Sequence, residues 1–111
     1  MQIPDKLKIG GRNYSVLYPH KFTDSSVVLY GMHDPQGQTI KIASQDEFGI
    51  DRHKQAQSHT FVHELLHAID DVYNNSRLTQ WEKGEETIDQ LAEGLLQVIR
   101  DNELDFWGKQ L

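Results

Sequence analysis

Near residue 50 the apolar pattern of this chain changes period, from two to about 3.6, and that change limits the folds open to it. Before it, Leu7 and Ile9 alternate with lysines. Gly10-Gly11 then offers a tight hairpin turn. Tyr14, Val16 and Tyr18 alternate with Ser15 and Leu17 on the return, and Pro19 ends that strand. Residues 27–30 are β-branched and aromatic, and Asp34-Pro35-Gln36-Gly37 is a turn signal. Thr39, Ile40, Lys41, Ile42 and Ala43 alternate as a last strand. The expectation is a small antiparallel sheet of three or four strands with one polar face.

After the change, Asp51 is the expected N-cap of a helix running to Tyr73. Its apolar positions are Val62, Leu65, Leu66, Ile69, Val72 and Tyr73, and Asn74-Asn75-Ser76 is its stop. Thr79 and Glu82 suggest a capping box for a second helix, with an apolar stripe at Ile88, Leu91, Leu95, Val98 and Ile99. Gly84 weakens its start by about 1 kcal/mol relative to Ala. Phe106 and Trp107 in the tail need a surface to pack on. Strands followed by helices define an α+β fold: one domain over 1–111, with a sheet part (1–50), a two-helix part (51–103) and a tail (104–111).

Composition removes several function classes. Seventeen acids against eleven bases give a net charge of −6, with a pI near 5.4. That argues against nucleic acid or an anionic membrane as partner. The absence of cysteine excludes disulfides, Cys-ligated zinc and iron–sulfur sites. The first residues, Met1-Gln2-Ile3-Pro4-Asp5, lack the basic start and apolar stretch of a signal peptide, so a cytoplasmic protein is expected.

The chemistry-bearing segment is His63-Glu64-Leu65-Leu66-His67. Spacing i, i+4 on a helix brings both imidazoles to one face, about 5–6 Å apart at Cβ. There they can converge on one Zn²⁺. Glu64, one residue after the first histidine, can reach a water on the metal without ligating it, which is the place of a general base. A catalytic zinc needs a third protein ligand and an open position. The second helix offers Glu85, Glu86, Asp89 and Glu93. Glu85 shares a face with Ile88 and Ala92 and is the expected third ligand. Glu86, on the polar face, is the alternative. Asp89, one turn on, could accept the other N–H of a ligating histidine.

The remaining candidates are weaker. His59, one turn before His63, could bind substrate or close the site as a fourth ligand, but reads best as a histidine beside the cleft. Asp70 reads as an exposed salt bridge. Tyr14, Tyr18, Tyr30 and Tyr73 are candidates for an oxyanion-stabilising hydroxyl. Trp81 and Trp107 read as packing anchors. His20, His33 and His53 have no partner that singles them out.

These residues resemble a gluzincin, with H-E-x-x-H on one helix and E-x-x-x-D on the next in Glu85-Glu86-Thr87-Ile88-Asp89. The stretch 60–70, the run Leu91-Ala92-Glu93-Gly94-Leu95-Leu96-Gln97-Val98, Lys8-Ile9-Gly10-Gly11 and the strand at 38–42 resemble small phage and prophage proteins of Gram-positive bacteria. Those are related in pattern to ImmA/IrrE-like and SprT-like metallopeptidases. The resemblance implies a zincin-like metallopeptidase with His63, His67 and Glu85 on zinc, Glu64 as base and Asp89 behind a ligand. It also implies that the edge strand beside the cleft, expected to be Thr39, Ile40, Lys41, Ile42 and Ala43, pairs with an extended peptide. The substrate would be a peptide or protein, of repressor or host type, met by a monomer or weak dimer. The alternative is a zinc-containing module that binds a host or phage protein stoichiometrically. A purely structural zinc domain is disfavoured, because such sites are usually Cys-rich.

Overall fold

The computed structural model describes residues 2–23 and 27–104; the expected packing of Phe106 and Trp107 lies outside them. Four strands, β1 (Lys6–Ile9), β2 (Arg12–Leu17), β3 (Gly31–Asp34) and β4 (Thr39–Ile42), are followed by helices α1 (Lys54–Asn74), α2 (Arg77–Gln80) and α3 (Gly84–Asp101). The fold is α+β, as the change of period implies.

The sheet order is β1-β2-β4-β3. β1 and β2 form the expected hairpin across Gly10-Gly11, with Ile9 opposite Arg12. β3 and β4 form a second hairpin, whose turn is held by Asp34 Oδ1 accepting the N–H groups of Gln36 and Gly37, each at 3.1 Å. The expected all-antiparallel sheet is corrected at one joint: β4 runs parallel to β2, with Val16 opposite Ile40. The expected strand at 27–30 is also shifted, to Gly31–Asp34. Burial explains the order. Ile40 and Ile42 are fully buried, and a strand with two such residues gains most between two neighbours. Gly-Met-His-Asp has no comparable apolar face and takes the edge.

One face of the sheet carries Ile9, Tyr14, Val16, Ile40 and Ile42 against Phe61, Val62 and Ala68 of α1. The other face is turned to water, as expected. α1 begins two residues later than the Asp51 cap predicts, with His53 at the N-cap and no side-chain cap bond. Asp51 is engaged elsewhere, in a bridge to Gln45 and a 3.1 Å hydrogen bond from its amide. α1 ends as expected, with Asn75 left-handed at φ 53° and its N–H bonded to Asp70 O.

The expected capping box at Thr79 and Glu82 is absent. Thr79 lies inside the short α2, and α3 starts at Gly84 behind Lys83. A Cβ on Gly84 would stand 1.8 Å from Leu78 O, so glycine there is required by the close approach of α2 to α3. α3 buries Gly84, Ile88, Ala92 and Ile99. Leu91, Leu95 and Val98 of the expected stripe are exposed, since the buried line runs one residue out of their phase. Trp81, expected as an anchor, is half exposed. Among the described residues, no helix is long and apolar enough to cross a membrane.

Candidate metal centre

α1 and α3 pack antiparallel, with the first turns of α3 against the middle of α1, and this brings the expected residues together. His63 Nε2 lies 2.6 Å from Glu85 Oε1, and His67 Nε2 lies 2.9 Å from Glu85 Oε2. The two Nε2 atoms are 3.2 Å apart. Tetrahedral ligands at 2.0–2.1 Å from a zinc stand roughly 3.3 Å from one another. Three donors of the right kind therefore converge at close to ligand spacing, and His63, His67 and Glu85 form a group that could hold a metal ion. Glu86 is exposed and belongs to neither group of possible ligands among the described residues.

Each histidine is oriented by a different support. His63 Nδ1 faces Asp89 Oδ1 at 3.2 Å, as the sequence suggests. The Asp89 carboxyl is held below the usual carboxylate range, first by its hydrogen bond from His59 and against some desolvation. His67 Nδ1 faces the Thr79 hydroxyl at 3.0 Å. Thr79 in turn is fixed by Asp70, whose Oδ2 accepts the Thr79 N–H at 2.6 Å. Asp70 also accepts from Leu78 N–H at 3.2 Å and from the Asn74 amide at 2.8 Å. The exposed salt bridge expected for Asp70 is thus overturned: only 5% of the residue is exposed. Burial pushes its carboxyl up, but the Thr79 hydroxyl, the Thr79 and Leu78 N–H groups and Asn74 together bring it below the usual range. Nothing local marks Thr79 for this role; it depends on the turn that α2 makes beneath α1. Asp70 had a signal, its place three residues after His67.

Glu64 is aimed at the same region from under the sheet. Burial pushes its carboxyl up to about 7; the His63 charge opposes this, Glu85 adds to it, and an N–H from His33 opposes it. The strand above it is β3. A Cβ on Gly31 would come within 2.5 Å of Thr60 Cγ2 and 3.0 Å of Glu64 Oε2, so glycine lets the strand cross the helix at Glu64.

The peptide-pairing strand is corrected. Thr39, Ile40, Lys41 and Ile42 are central, paired with β2 on one side and β3 on the other. Ala43 donates to Tyr30 O at 2.8 Å. None of the five offers a free edge. The edge beside the site is β3. Antiparallel alternation from the Tyr30–Ala43 bond turns the N–H and C=O of Gly31 and His33 outward. His33 was not singled out in the sequence, since its role depends on the strand order.

The other candidates find partners of their own. Tyr14 bonds His33 Nε2 at 2.9 Å, Tyr30 bonds Glu47 at 2.9 Å, and Tyr18 bonds Gln57. His59 is not a fourth member of the His63, His67 and Glu85 group. It lies on Asp89, and with Asp89 and His63 it makes a second cluster of donors within 4.8 Å of one another. His63, Glu64, Asp89 and Glu93 line a groove of about 1310 Å³ between α1, α3 and residues 28–31.

Fold and geometry define a two-helix centre of two imidazoles and a carboxylate, with a partly buried carboxyl group and the outer edge of β3 beside it. Comparison with family models, curated proteins and solved structures found no match.

Proposed function

We propose that this chain is a zinc-dependent peptidase, with His63, His67 and Glu85 as metal ligands and Glu64 as general base. The observation that carries the reading is the placement of Glu85 across both Nε2 atoms, at 2.6 and 2.9 Å, with the partly buried carboxyl of Glu64 nearby. Two neutral imidazoles and one carboxylate suit Zn²⁺ and leave a tetrahedral ion one open position. Zinc, when bound, acts as a Lewis acid and brings the pKa of a water down to about 7. Glu64 then accepts a proton from water and returns it to the leaving amine. Asp89 and Thr79 keep the ligand rings turned with Nε2 toward Glu85. The outward N–H and C=O groups of Gly31 and the C=O of His33 suit an extended peptide laid along β3, held by backbone bonds with little side-chain selectivity, while the His33 N–H is given to Glu64. Capture of His59 by Asp89 and Glu93 supports an open position, and so favours a peptidase over a stoichiometric binding module.

The test is hydrolysis of a mixed peptide library by the zinc-loaded protein, with new termini read by mass spectrometry. The expected result is cleavage by the wild type and a loss of about 10²–10⁴-fold in Glu64→Gln. Equal cleavage by Glu64→Gln would overturn the assignment of the base, and no cleavage by the metal-loaded wild type would favour the binding module.

A further inference from the structure

Resting on that reading of the metal ligands, we infer that His59 and Glu93 are positioning residues of the centre, acting on His63 through Asp89. His59 lies one turn before His63 on α1, and its ring stands between two carboxylates of α3. Nε2 is 2.7 Å from Asp89 Oδ1, and Nδ1 is 2.9 Å from Glu93 Oε2. The first contact is a hydrogen bond. The second is a close approach out of line for one, and Nδ1 is buried without a bonded partner. The oxygen that meets His59 is the same one that meets His63 Nδ1, at 3.2 Å. One carboxylate oxygen therefore serves two imidazoles.

Asp89 needs such a partner. Its side chain is 58% exposed, and an exposed aspartate on a helix surface gives up little by turning into water. His59, 22% exposed, holds it from the inner side. Asp89 and Glu93 are four residues apart on one helix, a spacing at which like charges repel. The His59 ring stands between them, bonded to Asp89 on one side and close to Glu93 on the other. The chain Glu93–His59–Asp89–His63 thus presets the ring that must offer Nε2 to a metal. Partners behind a ligand typically change metal affinity by 10–100-fold.

The test is zinc affinity, measured by competition with a chromogenic chelator, in wild type, His59→Phe, Glu93→Gln, Asp89→Asn and the double variant His59→Phe/Asp89→Asn. Thermal unfolding of the metal-free proteins is followed alongside. Expected is a loss of about tenfold or more in His59→Phe and in Asp89→Asn, with the double variant no weaker than Asp89→Asn alone. A purely structural role would move the unfolding temperature and make the losses multiply. An affinity for His59→Phe within about twofold of wild type, or multiplying losses, overturns the inference while leaving the metal centre intact. Two ions per wild-type chain falling to one in His59→Phe also overturns it, in favour of a second metal bound by His59, His63 and Asp89. No zinc in the wild type removes the metal reading and the positioning role with it. Should His59→Phe fail to fold, the exposed Glu93→Gln decides: a loss of about threefold supports the role, and no change overturns it.

Discussion

The two histidines of the centre are alike in sequence and opposite in support. His67 rests on a buried relay, Asp70 to Thr79 to His67, closed by backbone N–H groups of the α1–α2 connection. His63 rests on an open one, in which Asp89 and Glu93 reach across from the exposed face of α3. The buried relay also holds the turn that brings α3 back onto α1, so it belongs to the fold. The open relay also joins α3 to α1, but only through exposed carboxylates. Damage on the His67 side should therefore appear as lost stability, and damage on the His63 side as lost metal affinity in a protein that still folds.

The largest expected effect is at Asp70. Asp70→Ala leaves the Leu78 and Thr79 N–H groups and the Asn74 amide without their acceptor. The expected cost is about 3 kcal/mol, or roughly 10–20 °C in unfolding temperature for a domain of this size. Because the folded-state carboxyl is held low, its contribution is full above the unfolded value near 4 and fades as pH falls through the lower folded value. The gap between wild type and Asp70→Asn in thermal unfolding should thus narrow between about pH 5 and pH 2. A constant gap would show that the carboxylate charge does not matter.

The next effect is at Asp89, and it should fall on the other observable. Asp89→Asn should weaken zinc binding by about 10–100-fold while leaving the metal-free protein within about 0.5 kcal/mol of wild type. A large loss of stability there would erase the contrast between the two sides. The smallest effect sets the floor. Arg12 and Asp71 form an ion pair at 3.3 Å, with the arginine side chain half exposed, one residue along α1 from Asp70. Arg12→Ala should cost about 0–1 kcal/mol by the same thermal measurement.

What could be read in the sequence follows the same division. The open side was legible because it is written in helical spacing: His63 and His67 at i, i+4, Asp89 one turn after Glu85, and Glu85 rather than Glu86 by phase with Ile88 and Ala92. The buried side was not, because Thr79 reaches His67 only through the turn made by the four-residue α2, and no periodicity records that turn. The sheet repeats the lesson. Its hairpins were legible from Gly10-Gly11 and from the 34–37 turn, both local. The insertion of β4 beside β2 is a pairing between Ser15 and Thr39 across a long connection, and it reversed which strand carries the free edge. On α3, alternation of apolar residues allowed two neighbouring faces, and contact with α1 selected the one through Ala92.

The most direct measurement is metal content by mass spectrometry, on protein purified without a histidine tag, incubated with zinc and desalted. Wild type, His63→Ala, Glu85→Ala and Glu86→Ala would be compared. The expected result is about one zinc per chain in wild type and Glu86→Ala, and none in His63→Ala or Glu85→Ala. No metal in the wild type, or zinc retained by Glu85→Ala and lost from Glu86→Ala, would contradict the assignment of His63, His67 and Glu85 as the metal centre.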